Sequence, residues 1–346
     1  MAYVNALCFE LEREGERAKN YEVDTVFFGG GTPSLLNESQ LEAIFRILHN
    51  SYTISPDAEI SMEVNPATVD RKKLSLIKSF GVNRLSIGMQ SLNENELSIL
   101  GRAHGEKDFY LAYDDARGVG FSNLNVDLMY GIPEQTLKSF ERTLKIVTEL
   151  NPEHISAYSL KIEENTPFHQ MKNNLSLPDE DEEYAMYLSC ADTLSRAGYS
   201  HYEISNYAKE GRECKHNLRY WRGLEYLGFG ASAYSFFEGK RYGNPSLVSE
   251  YTENDGVCEK TDIEELTLRD EEYEYIMLAL RLREGISDVE FARRFGIPFS
   301  EKYKEIIKKL EKSEFFLSKE GRFYLTDRGM YVSNSILCEL LSEGGL

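Results

Sequence analysis

The stretch Val23-Asp24-Thr25-Val26-Phe27-Phe28-Gly29-Gly30-Gly31-Thr32-Pro33-Ser34 decides the fold, because a strand-like run ends directly in a glycine-rich turn. An amphipathic helical pattern follows, and strand-like and helical patterns then alternate along the chain. Strands are predicted at 23–28, 58–64, 84–89, 123–130, 154–160 and 201–204. Alternation of this kind predicts right-handed βαβ units and a parallel sheet. Six strands favour a partial barrel, in which functional groups lie on the loops after the strands.

The N-terminal residues predict a helix rather than a strand. Val4, Leu7, Cys8 and Leu11 follow the i, i+3, i+4, i+7 spacing of one helix face. A parallel array that opens with a helix leaves its first strand with an unpaired edge. We therefore expect a barrel that is N-terminally incomplete, with the sequence beginning one βα unit late. An ordinary N-terminal helix is the alternative.

The sequence predicts three parts. Residues 1–206 form the partial barrel, and residues 207–265 are an aromatic and glycine-rich segment that ends in an acidic linker at 250–265. Residues 266–346 form a small α+β domain that resembles a winged helix, with helices at 268–283, 287–295 and 301–310 and a two-stranded wing at 315–318 and 322–325. Such a domain either binds DNA or serves as a packing module, and the acidity of the chain favours packing.

Composition limits the classes of function. The 346 residues are 41% hydrophobic, which is typical of a globular chain, and 39 basic against 58 acidic residues give a net charge of −19. Such a surface repels phosphate backbones, so we expect no nucleic-acid partner. No apolar run approaches the roughly 18 residues that a membrane span needs. The five cysteines are odd in number and widely separated, which indicates reduced thiols in the cytoplasm.

Several polar residues follow predicted strands and therefore fall at one end of the barrel. Glycines expose backbone N–H groups to a ligand, carboxylates accept from amines and hydroxyls, and a guanidinium binds a carboxylate. Each residue alone could equally be a cap, a surface charge or a buried polar group. Together they suit a zwitterionic ligand that carries a ribose. The residues are Gly30, Gly31, Thr32, Glu63, Gln90, Arg102 and Asp127.

Four motifs together resemble those of the oxygen-independent coproporphyrinogen III oxidase family of radical SAM proteins, and the likeness spans essentially the whole chain. They begin at Gly29 (GGGTPS), Glu63 (EVNP), Ser86 (SIGMQS) and Asp127 (DLMYGIP). The resemblance implies a partial (β/α)6 barrel that binds S-adenosylmethionine (SAM). By position, the seven residues above fall where that family holds SAM.

The family has two branches, the porphyrinogen oxidase and the HemW-type haem chaperone. His216-Asn217-Leu218-Arg219-Tyr220-Trp221 resembles a motif of the chaperone branch, and the short length also favours it. The resemblance then implies a protein that binds haem and SAM and delivers haem to apoproteins such as respiratory-chain enzymes. His216 is the candidate axial ligand of haem, and a packing role is its alternative. The alternative function is decarboxylation of coproporphyrinogen III in porphyrin biosynthesis. Ala233-Tyr234-Ser235 departs from the branch, which has a histidine in that stretch.

The family also implies a 4Fe-4S cluster, held by three thiolates of a CxxxCxxC loop. This sequence has no such motif, and its five cysteines (Cys8, Cys190, Cys214, Cys258 and Cys338) are far apart. Because a cluster needs converging thiolates, we expect that this chain holds no cluster and does not cleave SAM reductively. Cys8 lies on the apolar helix stripe and is expected to be buried. Whether the protein is an enzyme stays open.

Overall fold

A curled seven-stranded sheet forms the centre of the protein, whose computed structural model describes residues 1–343. Its spatial order is β1-β2-β3-β4-β5-β7-β6. The strands are β1 Glu22–Phe28, β2 Thr53–Val64, β3 Arg84–Gln90, β4 Leu124–Tyr130, β5 His154–Ser159, β6 Ser200–Glu203 and β7 Asn206–Ala208. Strands β1 to β5 pair in parallel, and the predicted partial barrel is confirmed.

The end of the sheet differs from the prediction. The sixth predicted strand does not lie beside β5, because the chain reverses at Ile204 and Ser205 and inserts β7 between them. Strand β7 is antiparallel to both β5 and β6. A tight turn joins antiparallel strands, whereas parallel neighbours need a crossover. The sheet therefore ends in a hairpin, and β1 and β6 are its two edges.

The elements between the strands are mainly helices, and most of them pack on the outer face of the sheet. They are α1 Ala2–Ala18, α2 Glu38–Ser51, α3 Arg71–Ser79, α4 Glu94–Ile99, α5 Glu106–Gly118, α6 Leu137–Leu150, α7 Pro167–Met171 and α8 Glu180–Arg196. Their starts are encoded locally: Asn37 accepts the N–H of Gln40 in a capping box before α2, and Asp179 does the same for Glu182 before α8. The N-terminal helix predicted from the apolar stripe is present as α1.

The strands alternate between an apolar outer face and a polar inner face. Ile60, Met62 and Val64 of β2 belong to the buried hydrophobic core, as do Leu85, Ile87 and Met89 of β3. The residues between them, such as Glu63 and Ser86, point to the other side of the sheet. Strands of a parallel sheet are commonly apolar on both faces. Here the inner face is polar, because it lines a cavity.

Residues 207–265 pack on the barrel as helices and a small sheet. They contain α9 Lys215–Trp221, α10 Val248–Glu253 and a three-stranded sheet of β8 Tyr234–Phe237, β9 Lys240–Gly243 and β10 Thr261–Glu265. The predicted acidic linker at 250–265 is wrong, since Tyr251 of α10 is fully buried and β10 pairs with β9.

One buried carboxylate holds this segment on α1. Glu10 is 0% exposed, and it accepts from the Gly230 N–H at 2.9 Å, from Asn244 Nδ2 at 2.7 Å and from the Tyr251 hydroxyl at 2.7 Å. Lys260 Nζ lies 3.0 Å from the same carboxylate and balances its charge. A buried charge is tolerated when it is paired and hydrogen-bonded in this way. The segment is therefore fixed to the first helix by side chains far apart in sequence.

The C-terminal part has the predicted winged-helix-like arrangement. Its helices are α11 Leu268–Ala279, α12 Asp288–Phe295, α13 Phe299–Lys302, α14 Lys304–Leu310, α15 Asp327–Tyr331 and α16 Ser333–Glu343. The wing is β12 Phe316–Lys319 and β13 Arg322–Leu325, joined by β11 Ile286–Ser287. Residues 344–346 of the predicted domain lie outside the described residues. Within residues 1–343, no helix has both the length and the apolar character required to cross a bilayer.

Candidate functional site

A cavity of about 1770 Å³ opens at the carboxyl ends of the parallel strands and continues along β1 to α9. All eight site residues predicted from the sequence line it. They are Gly30, Gly31, Thr32, Glu63, Gln90, Arg102, Asp127 and His216. The structure therefore brings together side chains that are up to 186 positions apart, from Gly30 to His216.

The glycine-rich loop after β1 presents backbone to this cavity. Gly30 and Gly31 have φ angles of 75° and 58°, in the left-handed region that favours glycine. No heavy atom lies within 4 Å of a Cβ built on either residue, so the space beside the backbone is open. The Gly30 N–H donates to Glu63 Oε2 at 3.3 Å. Thr32 precedes the 3-10 turn Pro33–Leu35 and makes no side-chain cap bond, which leaves its hydroxyl for a ligand.

Two of the carboxylates that line the cavity, Glu63 and Asp127, are held in a low-dielectric environment. Burial raises the pKa of Glu63, and the nearby Asp127 charge raises it further. Burial also raises the pKa of Asp127, although hydrogen bonds from Ser86 at 2.9 Å and Asn125 at 2.7 Å act in the opposite direction. Two nearby carboxylates in one cavity favour a cationic or hydroxyl-bearing ligand.

Gln90 and Arg102 complete the rim of the cavity. Gln90 ends β3 with a φ of 66° at a break in the β3–β4 register, a conformation that costs energy for a residue other than glycine. Among residues 1–343 its side-chain amide has no hydrogen-bond partner, although the residue is only 8% exposed. Arg102 is exposed at the cavity edge. Strain that aims an unpaired amide into a cavity indicates a binding role for Gln90.

Helix α9 bridges the two edges of the sheet. On the β1 side, Arg219 forms an ion pair with Asp24 at 2.6 Å. On the β6 side, the N–H of its N-cap residue Cys214 donates to the Tyr202 hydroxyl at 3.2 Å. The helix starts beneath the barrel because Glu59 of β2 accepts the N–H groups of Lys215 at 3.1 Å and His216 at 3.3 Å. A carboxylate at a helix start satisfies otherwise unpaired donors.

His216 lies in the first turn of α9, against β1. Its ring stacks on Phe27 at 5.2 Å and meets Tyr220 edge-on at 5.0 Å. Its Nδ1 is 2.9 Å from Thr25 Oγ1, and its Nε2 is 2.9 Å from the Tyr220 hydroxyl. Burial lowers the pKa of His216 to about 4, so the imidazole is neutral near pH 7. A neutral imidazole is the form that binds a metal ion.

Sequence reasoning missed the polar floor of the cavity. Arg84 is 2% exposed among the first residues of the strands, and its Nε has no partner. Burial lowers its pKa, but the surrounding acidic groups, Glu59 and Asp127 among them, raise it above the usual value. His154 and Tyr202 lie in the same layer, joined at 2.8 Å. The sequence signal that could have revealed this floor is the polar residue at every second position of strands that are otherwise apolar.

No iron-sulfur ligand set is present in the part of the chain that the structure describes. Within residues 1–343, no three His, Cys, Asp or Glu side chains converge as metal ligands. Cys8 is half-buried against the core, and burial raises its pKa. Cys190 and Cys214 are buried, and burial raises the pKa of each to about 12. The cysteines of this chain therefore do not fit a cluster.

Comparisons with known families match both halves of the chain. The radical SAM superfamily matches residues 10–147, and the HemN C-terminal domain matches residues 266–332. Among solved structures, the coproporphyrinogen III oxidase HemN of Escherichia coli, a radical SAM enzyme, has a TM-score of 0.85. That match covers 98% of this chain and 82% of that chain at 24% identity, and it shows the shared fold.

Curated relatives match over nearly the whole length. The heme chaperone HemW of Bacillus subtilis is 35% identical over 99% of this chain and 91% of its own length. The heme chaperone HemW of Escherichia coli is 37% identical over 85% of this chain and 78% of its own length. The heme chaperone HemW of Lactococcus lactis is 31% identical over 99% of this chain and 90% of its own length.

Proposed function

The chain belongs to the HemW family of radical SAM proteins, and from that premise we propose that it is a haem chaperone. In this proposal it binds haem and SAM in the barrel cavity and passes haem to apoproteins. The observation that carries the proposal is the position of His216, a neutral imidazole on the wall of the same cavity that the glycine loop enters. The relatives favour this function over the porphyrinogen oxidase alternative.

The surroundings of His216 fit a haem group. The aromatic rings of Phe27, Tyr220, Tyr226 and Phe229 line the cavity around it, which suits a flat apolar macrocycle. An imidazole whose other nitrogen is hydrogen-bonded, as Nδ1 is to Thr25, has a fixed ring orientation for ligation. His216 would supply the axial nitrogen, and Tyr220 would give up its hydrogen bond to Nε2.

The rim residues fit SAM. The backbone at Gly30 and Gly31 with the Thr32 hydroxyl would receive the methionine end, beside Glu63 for its ammonium. Arg102 would bind the carboxylate, and Gln90 and Asp127 would hydrogen-bond the ribose and the base. These assignments rest on the family resemblance and on the chemistry of the donor set.

The size of the cavity supports two ligands rather than one. Sites for single small molecules typically enclose about 300–1,000 Å³, whereas this cavity holds about 1770 Å³. One end carries the glycine loop with Glu63 and Asp127, and the other carries His216 and the aromatic rings. Haem at α9 and SAM at the rim would therefore occupy separate parts of one space.

Haem titration with absorbance spectroscopy tests the proposal. We expect one haem per chain with the spectrum of a histidine-ligated iron, and loss of that spectrum in His216→Ala. His169→Ala is a matched control, because His169 lies on α7 and does not line the cavity. Equal binding by His216→Ala would contradict the ligand assignment. Transfer from the loaded protein to an apo-haem protein then tests delivery, and failure of transfer would contradict the chaperone role.

Three further assignments complete the proposal. The acceptors include respiratory-chain enzymes, as the resemblance implies. The site of action is the cytoplasm, which is supported by five free cysteines without a disulfide. The chain is organised as a barrel at 1–206, a segment at 207–265 and a winged-helix-like domain at 266–346, the last serving as a packing module.

A further inference from the structure

A line of buried polar groups crosses the floor of the barrel from α9 to Asp127. The Cys214 N–H lies 3.2 Å from the Tyr202 hydroxyl, which lies 2.8 Å from His154 Nε2. His154 Nδ1 lies 2.6 Å from Asn125 Oδ1, and Asn125 Nδ2 lies 2.7 Å from Asp127 Oδ1. We call these five residues the relay. They come from β4, β5, β6 and the N-cap of α9, so the line passes from strand to strand.

The direction of each hydrogen bond follows from the acceptor at its end. An ionised Asp127 has only acceptors, so the Asn125 group that meets it is the NH2. The same NH2 donates to Ser86 Oγ at 2.6 Å, whose own proton goes to Asp127 Oδ2 at 2.9 Å. Asn125 Oδ1 is consequently an acceptor, and it faces the imidazole of His154.

His154 then has a single tautomer. It is 0% exposed, and burial together with the nearby Arg84 charge lowers its pKa well below the usual value, so the ring is neutral. Its Nδ1–H donates to Asn125 Oδ1, which leaves Nε2 as an acceptor. The Tyr202 hydroxyl must donate to Nε2, and its oxygen is then free to accept the Cys214 N–H. All four donors point toward Asp127.

We propose that Tyr202 and His154 are positioning residues that couple the helix carrying His216 to the Asp127 carboxylate. Occupation of the rim by SAM thereby changes the affinity of the protein for haem. This inference rests on the proposed function, because it assigns the two ligands to the two ends of the relay. Cys214 precedes the first turn of α9, and His216 lies two residues further on.

The physical basis is the polarity of the relay. Hydrogen bonds that all point in one direction polarise one another, so each strengthens its neighbours. A ligand hydroxyl that donates to Asp127 competes with the Asn125 donor at one end. At the other end, the Tyr202 hydroxyl then becomes a weaker acceptor for the Cys214 N–H. The start of α9, which both Tyr202 and Glu59 hold, is then held less by Tyr202 and relatively more by Glu59. Coupling of two sites is reciprocal, so haem also changes the affinity for SAM.

The tautomer of His154 is the first test, and it needs no ligand. Nitrogen-15 spectra of histidine-labelled protein distinguish a protonated ring nitrogen from an acceptor nitrogen. We expect His154 to carry its proton on Nδ1, with the signal identified by its loss in His154→Asn. In Tyr202→Phe the Nε2 signal should move to the position of a nitrogen without a donor. A proton on Nε2, or an unmoved Nε2 signal, would overturn the relay.

The second test measures coupling. The haem dissociation constant of the full chain is measured without SAM and with saturating SAM. The ratio of these two constants is then compared between the wild type and the variants. We expect a wild-type ratio of about 5 or more in either direction, and a ratio within about twofold of one for Tyr202→Phe. Tyr199→Phe is the matched control, since the Tyr199 hydroxyl is also buried and donates to Pro152 O at 2.7 Å, outside the relay. It should keep the wild-type ratio.

The outcomes separate the two proposals. A wild-type chain that binds neither haem nor SAM contradicts the proposed function and removes the coupling with it. A chain that binds both with a ratio of one overturns the coupling alone. If Tyr199→Phe and Tyr202→Phe lose the coupling equally, the effect is a general destabilisation. That result would overturn the positioning role of Tyr202, even if the two variants unfold at the same temperature.

Discussion

Replacement of Tyr220 by Phe is expected to strengthen haem binding. The Tyr220 hydroxyl lies 2.9 Å from His216 Nε2, the nitrogen that would bind iron. When Nδ1–H donates to Thr25, Nε2 holds the lone pair, and the tyrosine proton occupies it. Haem must break that hydrogen bond before it can bind. In Tyr220→Phe the competitor is absent, while the ring that meets His216 edge-on is kept.

The size of the gain follows from the hydrogen bond that is no longer broken. A hydrogen bond of this kind contributes about 0.5–1.5 kcal/mol net. Because 1.4 kcal/mol corresponds to tenfold in affinity, haem affinity should rise about 2- to 12-fold. Thr25→Val should act in the opposite direction. Loss of the partner that orients a ligating histidine costs about 10- to 100-fold in metal affinity.

Haem titration of wild type, Tyr220→Phe and Thr25→Val measures both effects, with the absorbance of the bound iron as the readout. The pair of opposite shifts is the signature of ligation through Nε2. Weaker binding in Tyr220→Phe would refute the competition, and unchanged binding in Thr25→Val would refute ligation through an imidazole held at Nδ1.

Glu10→Ala should lower the free energy of unfolding by about 3–5 kcal/mol in urea, because it removes the acceptor of three buried donors and the counter-charge of the partly buried Lys260; a loss no larger than that of exposed Glu12→Ala would contradict this. Burial raises the pKa of Glu203 to about 7 in the folded chain. The free energy of unfolding therefore falls as the pH rises from the ordinary pKa of a glutamate toward 7. Glu203→Gln should therefore stabilise by about 1–3 kcal/mol at pH 8 and less at pH 6, and a gain independent of pH would count against it. Gln90→Gly should keep or raise stability by relieving about 1 kcal/mol of backbone strain, yet weaken SAM binding in calorimetry; unchanged SAM affinity would remove Gln90 from the site. Since burial lowers the pKa of His216 to about 4, haem affinity should be constant from pH 8 to 6 and fall only near pH 4, where protons compete with iron for the imidazole. If haem affinity fell with a midpoint near pH 6.5, the imidazole would be exposed and this prediction would be wrong.

Most of the barrel was predictable because each strand and helix carries its own pattern. Two of the strands that were missed, β7 and β10, lack such a pattern. Strand β7 is three residues long and follows a two-residue turn. Strand β10 is exposed along its whole length and largely acidic, so its local pattern indicates a linker. It lies in a sheet because β9 is beside it, with Lys240 2.6 Å from Glu265. Such pairing is a tertiary effect that sequence patterns do not record.

The candidate site was predictable at its rim and not at its floor. Glu63 and Gln90 come at the ends of β2 and β3, and the ends of parallel strands meet at one edge of a sheet. Asp127 lies in the middle of β4 and reaches the same cavity from the inner face of that strand. Arg84 and His154 come at strand starts, where polar residues usually face solvent. Their burial depends on α9, which arrives from more than 50 residues further along the chain and covers them. The sequence alone does not show which segment will cover the floor.

Because α9 rather than a strand connects β1 to β6, the circumference of the barrel is not fixed by strand number and stagger, as it is in a closed barrel. The lateral spacing of two hydrogen-bonded strands is set by backbone geometry, whereas a helix held by side chains can sit nearer or farther without breaking a ladder. The diameter of the enclosed space is thus adjustable through a few contacts, those of Arg219, Glu59 and Cys214. A barrel closed in this way can admit and release a broad planar ligand without breaking the hydrogen bonds between its strands.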